Sequence, residues 1–291
     1  MKTFLIFLPI LFSLSTYSQN PFPDTEIFLV DIIRTPNGLS FGKPLNITHR
    51  SGYDNQPCFT QDGSKILYSS VREDGQADIY QYDIQTKKES RITSTTESEF
   101  SPTLIPGENN FSVVRVEKDS AQRLWKFPMS GGEPALLFPN IDSIGYHCWI
   151  GKNSVALFIL TDPPSLQIAS GNDAPRKIAE KIGRCIKNVP KKNAFSFVEK
   201  EDSLLWVIKM YDIAKVKFDF VAQTPAGSED YAWMSDGSLL IGQFGKLMRR
   251  KTGKEIKWTE VADFSDVIEK VGRITISPSG TKMAIVGVAK K

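Results

Sequence analysis

The sequence predicts an all-β chain, a six-bladed β-propeller with four antiparallel strands per blade. Three observations carry this reading. A short motif that pairs a small residue with a large apolar one recurs six times, at the spacing of propeller blades. A second motif recurs in step with it. The two ends of the chain carry complementary halves of one repeat.

The first motif reads QPCF at 56–59, SPTL at 101–104, YHCW at 146–149, GRCI at 183–186, DYAW at 230–233 and RITI at 273–276. Its third column holds Cys58, Thr103, Cys148, Cys185, Ala232 and Thr275, all small. Its fourth holds Phe59, Leu104, Trp149, Ile186, Trp233 and Ile276, all large and apolar. Neighbouring residues of a strand point to opposite faces. Blades are wedges that converge on an axis, so the innermost strand has least room. One face takes small side chains, and the other fills the gap to the adjacent blade.

The second motif marks the third strand: DIYQYD at 78–83, RLWKF at 123–127, SLQIA at 165–169, LLWVIK at 204–209 and KLMRR at 246–250. It aligns Ile79, Leu124, Leu166, Leu205 and Leu247, five copies against six of the first motif. The missing copy opens the chain. EIFLVDI at 26–32 matches DIYQYDI at 78–84, and KPLNIT at 43–48 matches ESRITS at 89–94. The chain ends with the other half, RITISPSGTKMAIVGVA at 273–289. A closed ring uses both halves. The N-terminal strands complete the last blade, and no sheet edge at the seam is left open.

Within blade 1 the inner strand is expected at 57–61, the second at 65–70, the third at 78–82 and the outer at 89–93. Asp62-Gly63 supplies the hairpin turn, as do Asp236-Gly237 and Ser279-Gly280 in blades 5 and 6. Asn153 and Lys191-Lys192 stand at that point in blades 3 and 4. Helical periodicity reaches a short helix only within 264–271.

Ahead of the repeats, Lys2 precedes an apolar run over 4–14 and then small residues at Thr16 and Ser18. This is the pattern of a cleaved secretory signal over 1–18. The run falls short of the roughly 20 apolar residues of a membrane span, and no later window reaches that length. A single propeller domain is therefore expected over 19–291, periplasmic or secreted. Without Lys2, Lys+Arg falls from 36 to 35 against 33 Asp+Glu. That balance excludes a dedicated nucleic-acid binder, which shows a strong basic excess. Arg249, Arg250, Lys251, Lys254 and Lys257 read as a solvated outer hairpin. Three cysteines are too few for a disulfide framework. Equivalent positions on different blades lie beyond the roughly 7 Å between Cα atoms that a disulfide spans, so three free, buried thiols are expected.

The unit PCFTQDGSKIL, DIY and RIT of blade 1, echoed by ISPSGTKMAI in blade 6, resembles the repeat of TolB-like propellers, a WD-repeat-like family. The resemblance implies a six-bladed propeller and covers nearly all of the chain after the signal. TolB itself carries an additional N-terminal domain, for which few residues stand between the signal and the first strand. Propellers of this kind also accompany prolyl oligopeptidase-type domains, but no G-x-S-x-G elbow is present. TolB-like lyases use histidine-rich metal sites, whereas this chain has only His49 and His147.

The resemblance places the channel mouth at the loops leading into the inner strands and joining the second and third strands. Tyr53, Asn55, Arg72 and Glu99 are the candidate binding residues from blades 1 and 2, with Asp54 beside them. Tyr146, His147, Arg184, Glu229, Asp230 and Arg273 are those of the later blades. His147 stands in the column of Pro57 and Pro102 and reads as a structural residue. No catalytic set is assigned. Two functions are expected. The first is a non-enzymatic, monomeric module that binds an envelope protein, a peptide or a glycan and needs no cofactor. The alternative is a carbohydrate-active or lactone-cleaving enzyme with a divalent metal such as calcium in the channel, near Glu99, Glu229 or Asp230.

Overall fold

The structure, a computed structural model, describes residues 22–36, 38–203, 205–253 and 257–290. The signal expected at 1–18 lies outside the described residues, as does Lys254 of the basic run. Every regular element described is a strand. No helix is long and apolar enough to cross a membrane.

Six antiparallel sheets follow the predicted order. The inner strands are Tyr53–Phe59, Ser98–Leu104, Ile144–Trp149, Ile182–Asn188, Tyr231–Trp233 and Ile268–Ile276, for blades 1 to 6. In blade 1 the second, third and outer strands are Lys65–Val71, Ala77–Asp83 and Lys88–Arg91. Gly63 takes a φ of +72° in the first hairpin, a conformation open to glycine and costly to others.

Blade 6 is made from both ends of the chain. Its inner and second strands, Ile268–Ile276 and Lys282–Ala289, are followed in space by Glu26–Thr35. Glu26 pairs with Gly287 and Asp31 with Lys282. The outer strand is split into Gly38–Phe41 and Leu45–Asn46, both paired with Glu26–Thr35.

The core is divided among the interfaces between blades. Phe59, Ile66 and Tyr68 of blade 1 pack on Ile27, Leu29 and Ala284 of blade 6. Leu67 and Ile79 pack on Phe111, Val113 and Phe127 of blade 2. Four further clusters of this kind complete the circle.

Blade 4 departs from the predicted register. Its first hairpin closes with Val189 N–H donating to the Ala194 carbonyl, as Thr60 does to Lys65 in blade 1. The residues equivalent to Cys58 and Phe59 are therefore Lys187 and Asn188, not Cys185 and Ile186. Its third strand, Trp206–Asp212, likewise puts Ile208 opposite Val198, where blade 1 has Ile79 opposite Ser69. Leu205 lies outside the strand. In the inner strand the slip is two residues, which keeps every side chain on its own face and let the small-and-large pattern survive the misalignment. In the third strand it is three, from Leu205 to Ile208, and the faces exchange. The helix expected at 264–271 is absent. Residues 265–267 form a turn, and the long inner strand of blade 6 begins at Ile268.

The three cysteines are free thiols. Burial pushes Cys148 to about 11 and Cys185 to about 12.

Candidate functional site: the channel mouth

The inner strands surround a channel of about 440 Å³. It widens at the beginnings of those strands into a mouth of about 740 Å³. Gln56, Tyr146, Arg184 and Arg273 line both spaces.

The sequence candidates sort into three groups. Tyr53, Asn55, Tyr146, Arg184 and Arg273 line the mouth. His147 and Asp230 line the channel below it, and Glu229 lines a side pocket next to Arg184. Arg72 and Glu99 line neither space. Arg72 sits over the Tyr80 ring at 4.3 Å and pairs with Glu89 at 2.8 Å. Glu99 is fully buried, bonded by Thr95 and paired with Arg115 at 3.3 Å. Asp54 is also fully buried, with Ser70 donating to it at 2.5 Å. The expected calcium set of Glu99, Glu229 and Asp230 is thus not brought together. Among the described residues no group of three or more His, Cys, Asp and Glu is arranged to hold a metal ion.

An ion cluster dominates the mouth. Arg184 donates to Asp230 from Nη2 at 2.5 Å and from Nε at 3.3 Å. Arg273 approaches the same carboxylate at 3.8 Å and donates to the Tyr146 hydroxyl at 3.1 Å. Glu229 accepts from the Arg184 backbone N–H at 3.1 Å and pairs with Lys200 at 3.2 Å. Gly183 makes that approach possible, because a Cβ there would collide with the Glu229 carboxylate. Burial alone would raise the Asp230 pKa, but the guanidinium groups of Arg273 and Arg184 outweigh it and hold the carboxyl below its ordinary range. Burial pushes the Tyr53 phenol to about 12. Asp230 is thus ionised and Tyr53 neutral around pH 7.

His147 is a tie between blades. Its Nε2 shares a hydrogen bond with Ser112 at 2.7 Å, and the same hydroxyl accepts from the Trp149 indole at 2.8 Å. Blade 5 repeats the device with Tyr231, Trp233 and Ser196, at 2.7 and 2.8 Å. Burial lowers the His147 pKa to about 3, so the ring is neutral.

The sequence reading missed the apolar wall of the mouth. Phe22, Tyr53 and Phe100 form a ring trio with centroids 5.2 to 6.4 Å apart. Val116 and the half-exposed Leu160 extend it. It also missed Lys187 in the channel and Lys270 in the mouth. Lys187 was hidden by the register slip of blade 4, and the apolar residues read as ordinary core.

Three solved structures share this architecture. A candidate TolB from Agrobacterium tumefaciens superposes with a TM-score of 0.71 at 11% identity, covering 92% of this chain and 99% of that one. The fold is that of the TolB-like six-bladed propellers. An oligogalacturonate lyase in complex with manganese shares it at a TM-score of 0.58 and 14% identity, over 85% of this chain and 80% of that one. A chain of a nidogen–laminin complex does so at 0.62 and 10%, over 92% of this chain and all of that one. At such identities the likeness is one of fold, and the TolB-like fold serves proteins with different activities. No family model and no curated protein matches the sequence.

Outside the mouth, the buried Glu99 predicts a pH dependence. Burial outweighs its bonds from Thr95 and Thr93 and its Arg115 partner, and raises the carboxyl to about 7. Between pH 4.5 and 7 the folded protein then holds a proton that the unfolded chain has released. The contribution of Glu99 to stability falls as pH rises through that window. Thermal melts of Glu99→Gln are expected to lack this loss, so the melting-temperature gap between wild type and variant shifts in the variant's favour from pH 4.5 to 7. A gap that stays constant with pH would refute the raised pKa.

Proposed function

We propose that this chain is a secreted or periplasmic, non-enzymatic propeller module that binds a protein, peptide or glycan at the channel mouth. One observation carries the reading. Inner strands from several blades converge on a single concavity that combines an apolar wall with fixed cations, the make-up of a ligand site of ordinary size. The nidogen–laminin complex supports it, as a protein assembly that contains a propeller of this fold.

The manganese-bound lyase favours a second reading, a metal-dependent enzyme acting on a glycan or lactone. Here Asp230 and Glu229 are engaged by Arg184, Arg273 and Lys200, which compete with a metal for both carboxylates.

Site-specific photo-crosslinking separates these readings. A crosslinker at Leu160, half-exposed in the mouth, is expected to capture a discrete adduct from cell-envelope extract, with or without chelator. The same crosslinker at Phe220, exposed on the outer strand Lys217–Gln223 of blade 4, is expected to give none. Adducts that match at both positions, or none at Leu160, would overturn the mouth as the binding face. Adducts lost on chelation would favour the metal reading.

A further inference from the structure

Mouth and channel carry charge of one sign. Arg184, Lys187, Lys270 and Arg273 line them against one carboxylate, Asp230. That carboxylate is shared by Arg184 and Arg273. Glu229, which also reaches Arg184, is taken up by Lys200. Cations in a partly enclosed cavity focus their field on whatever enters it.

Lys187 makes the sharper case. In the other five blades its position holds Cys58, Thr103, Cys148, Ala232 or Thr275, because space beside the axis is short. Blade 4 puts a long cation there and gives it no ion-pair partner among the described residues. Lys187 lines the channel together with Cys58, Cys148, Cys185 and Asp230, residues of four blades. It is half-buried, and the one carboxylate lining the space, Asp230, is already shared by Arg184 and Arg273. A ligand that brings an anion supplies the charge this cluster lacks.

The rest of the wall defines the body attached to the anion. Phe22, Tyr53, Phe100, Val116 and Leu160 form an apolar surface at the mouth. A single apolar side chain fits it. Gln56, between mouth and channel, accepts at Oε1 from the Ser69 hydroxyl and the Ser101 N–H, so its amide nitrogen remains available to donate to a peptide carbonyl.

We propose that the site receives the free C-terminus of a peptide. Its carboxylate lies among Arg184, Lys187 and Arg273, and its last apolar side chain lies against Phe22, Tyr53 and Phe100. This rests on the mouth being the binding face and adds the chemistry of what it binds.

The test uses the full folded chain and a fluorescein-labelled hexapeptide, Gly-Ser-Gly-Ser-Leu-Phe, as free acid and as C-terminal amide. Fluorescence anisotropy is expected to show the acid binding at least tenfold more tightly than the amide. Lys187→Met is expected to remove most of that difference and leave the amide unchanged, while Lys187→Arg retains it. The neutral residues at this position in the other blades indicate that Lys187→Met folds, and its melting temperature is expected to be at or above wild type. Equal affinity of acid and amide overturns the proposal, as does acid binding untouched by Lys187→Met; the mouth then remains a binding face. A galacturonate oligosaccharide that binds more tightly than the acid peptide also overturns it, in favour of a glycan. If neither peptide binds the proposal fails, and crosslinking at Leu160 decides separately whether the mouth binds at all.

Discussion

A chain lacking residues 22–48 is expected to lose its cooperative unfolding transition and to aggregate. Those residues supply the third and outer strands of blade 6. Ile27, Phe28, Leu29, Val30 and Ile32 are all buried there. Burying one such side chain contributes roughly 1.5–3 kcal/mol, so five contribute roughly 10 kcal/mol, comparable with the net 5–15 kcal/mol of a typical domain. The truncation also frees the edge of Lys282–Ala289, an apolar strand that would template pairing with other chains. Urea unfolding followed by tryptophan fluorescence, with light scattering alongside, checks both effects. A sharp transition near the wild-type midpoint would show that the ring does not depend on its seam. A gentler variant, Ile27→Ala, keeps the strand and is expected to cost about 3 kcal/mol.

The second large effect is expected at Asp230. Asp230→Ala leaves Arg184 and Arg273 facing each other without their shared carboxylate. Breaking a buried ion pair from one side typically costs about 3–5 kcal/mol. Arg184 is 39% exposed, so the lower end, about 3 kcal/mol, is expected here. Asp230→Asn keeps the shape and part of the hydrogen bonding and is expected to cost less. Acid titration gives an independent readout. Because the folded carboxyl titrates below its unfolded counterpart, its stabilising contribution is present above the ordinary carboxylate range and is lost as pH falls through the folded pKa. Both variants are expected to be less sensitive to acid than wild type on that limb. Unchanged acid sensitivity would mean that the carboxylate is not held by the two arginines.

The opposite signs of Asp230 and Glu99 show where sequence reasoning reaches and where it stops. Both are acidic residues just before or within an inner strand, and the same topological rule placed both at the mouth. Asp230 meets two arginines from other blades, and Glu99 is turned into the interior beside Arg115. Alternation tells which residues share a face. It does not tell which partner a carboxylate meets: those of Asp230 lie 43 and 46 residues away on other blades, while Glu99 finds Arg115 on the next strand of its own blade.

The fold itself was legible because wedge geometry acts on side-chain size, and size is written plainly in Cys58-Phe59, Cys148-Trp149 and Ala232-Trp233. Blade 4 was misread where size alone could not settle the register. Cys185-Ile186 fits the small-then-large rule better than Lys187-Asn188, which occupies those positions. The rule failed where a small residue gave way to a cation at the axis, and that is where the candidate ligand seat lies. The apolar mouth was illegible for a related reason. Phe100 and Leu160 look like core until the ring leaves them facing its opening.

The seam of blade 6 also fixes an order in time. Asp31 and Lys282 are paired strand neighbours, yet they lie 251 residues apart in the chain. While the chain is being made, the strand that opens the ring has no second-strand partner until Lys282–Ala289 has emerged. Contacts between such distant segments are entropically late. The earlier hairpins can form as they appear, but the circle closes only when Lys282–Ala289 is available to pair with Glu26–Thr35, so the arrival of that strand gates the native state.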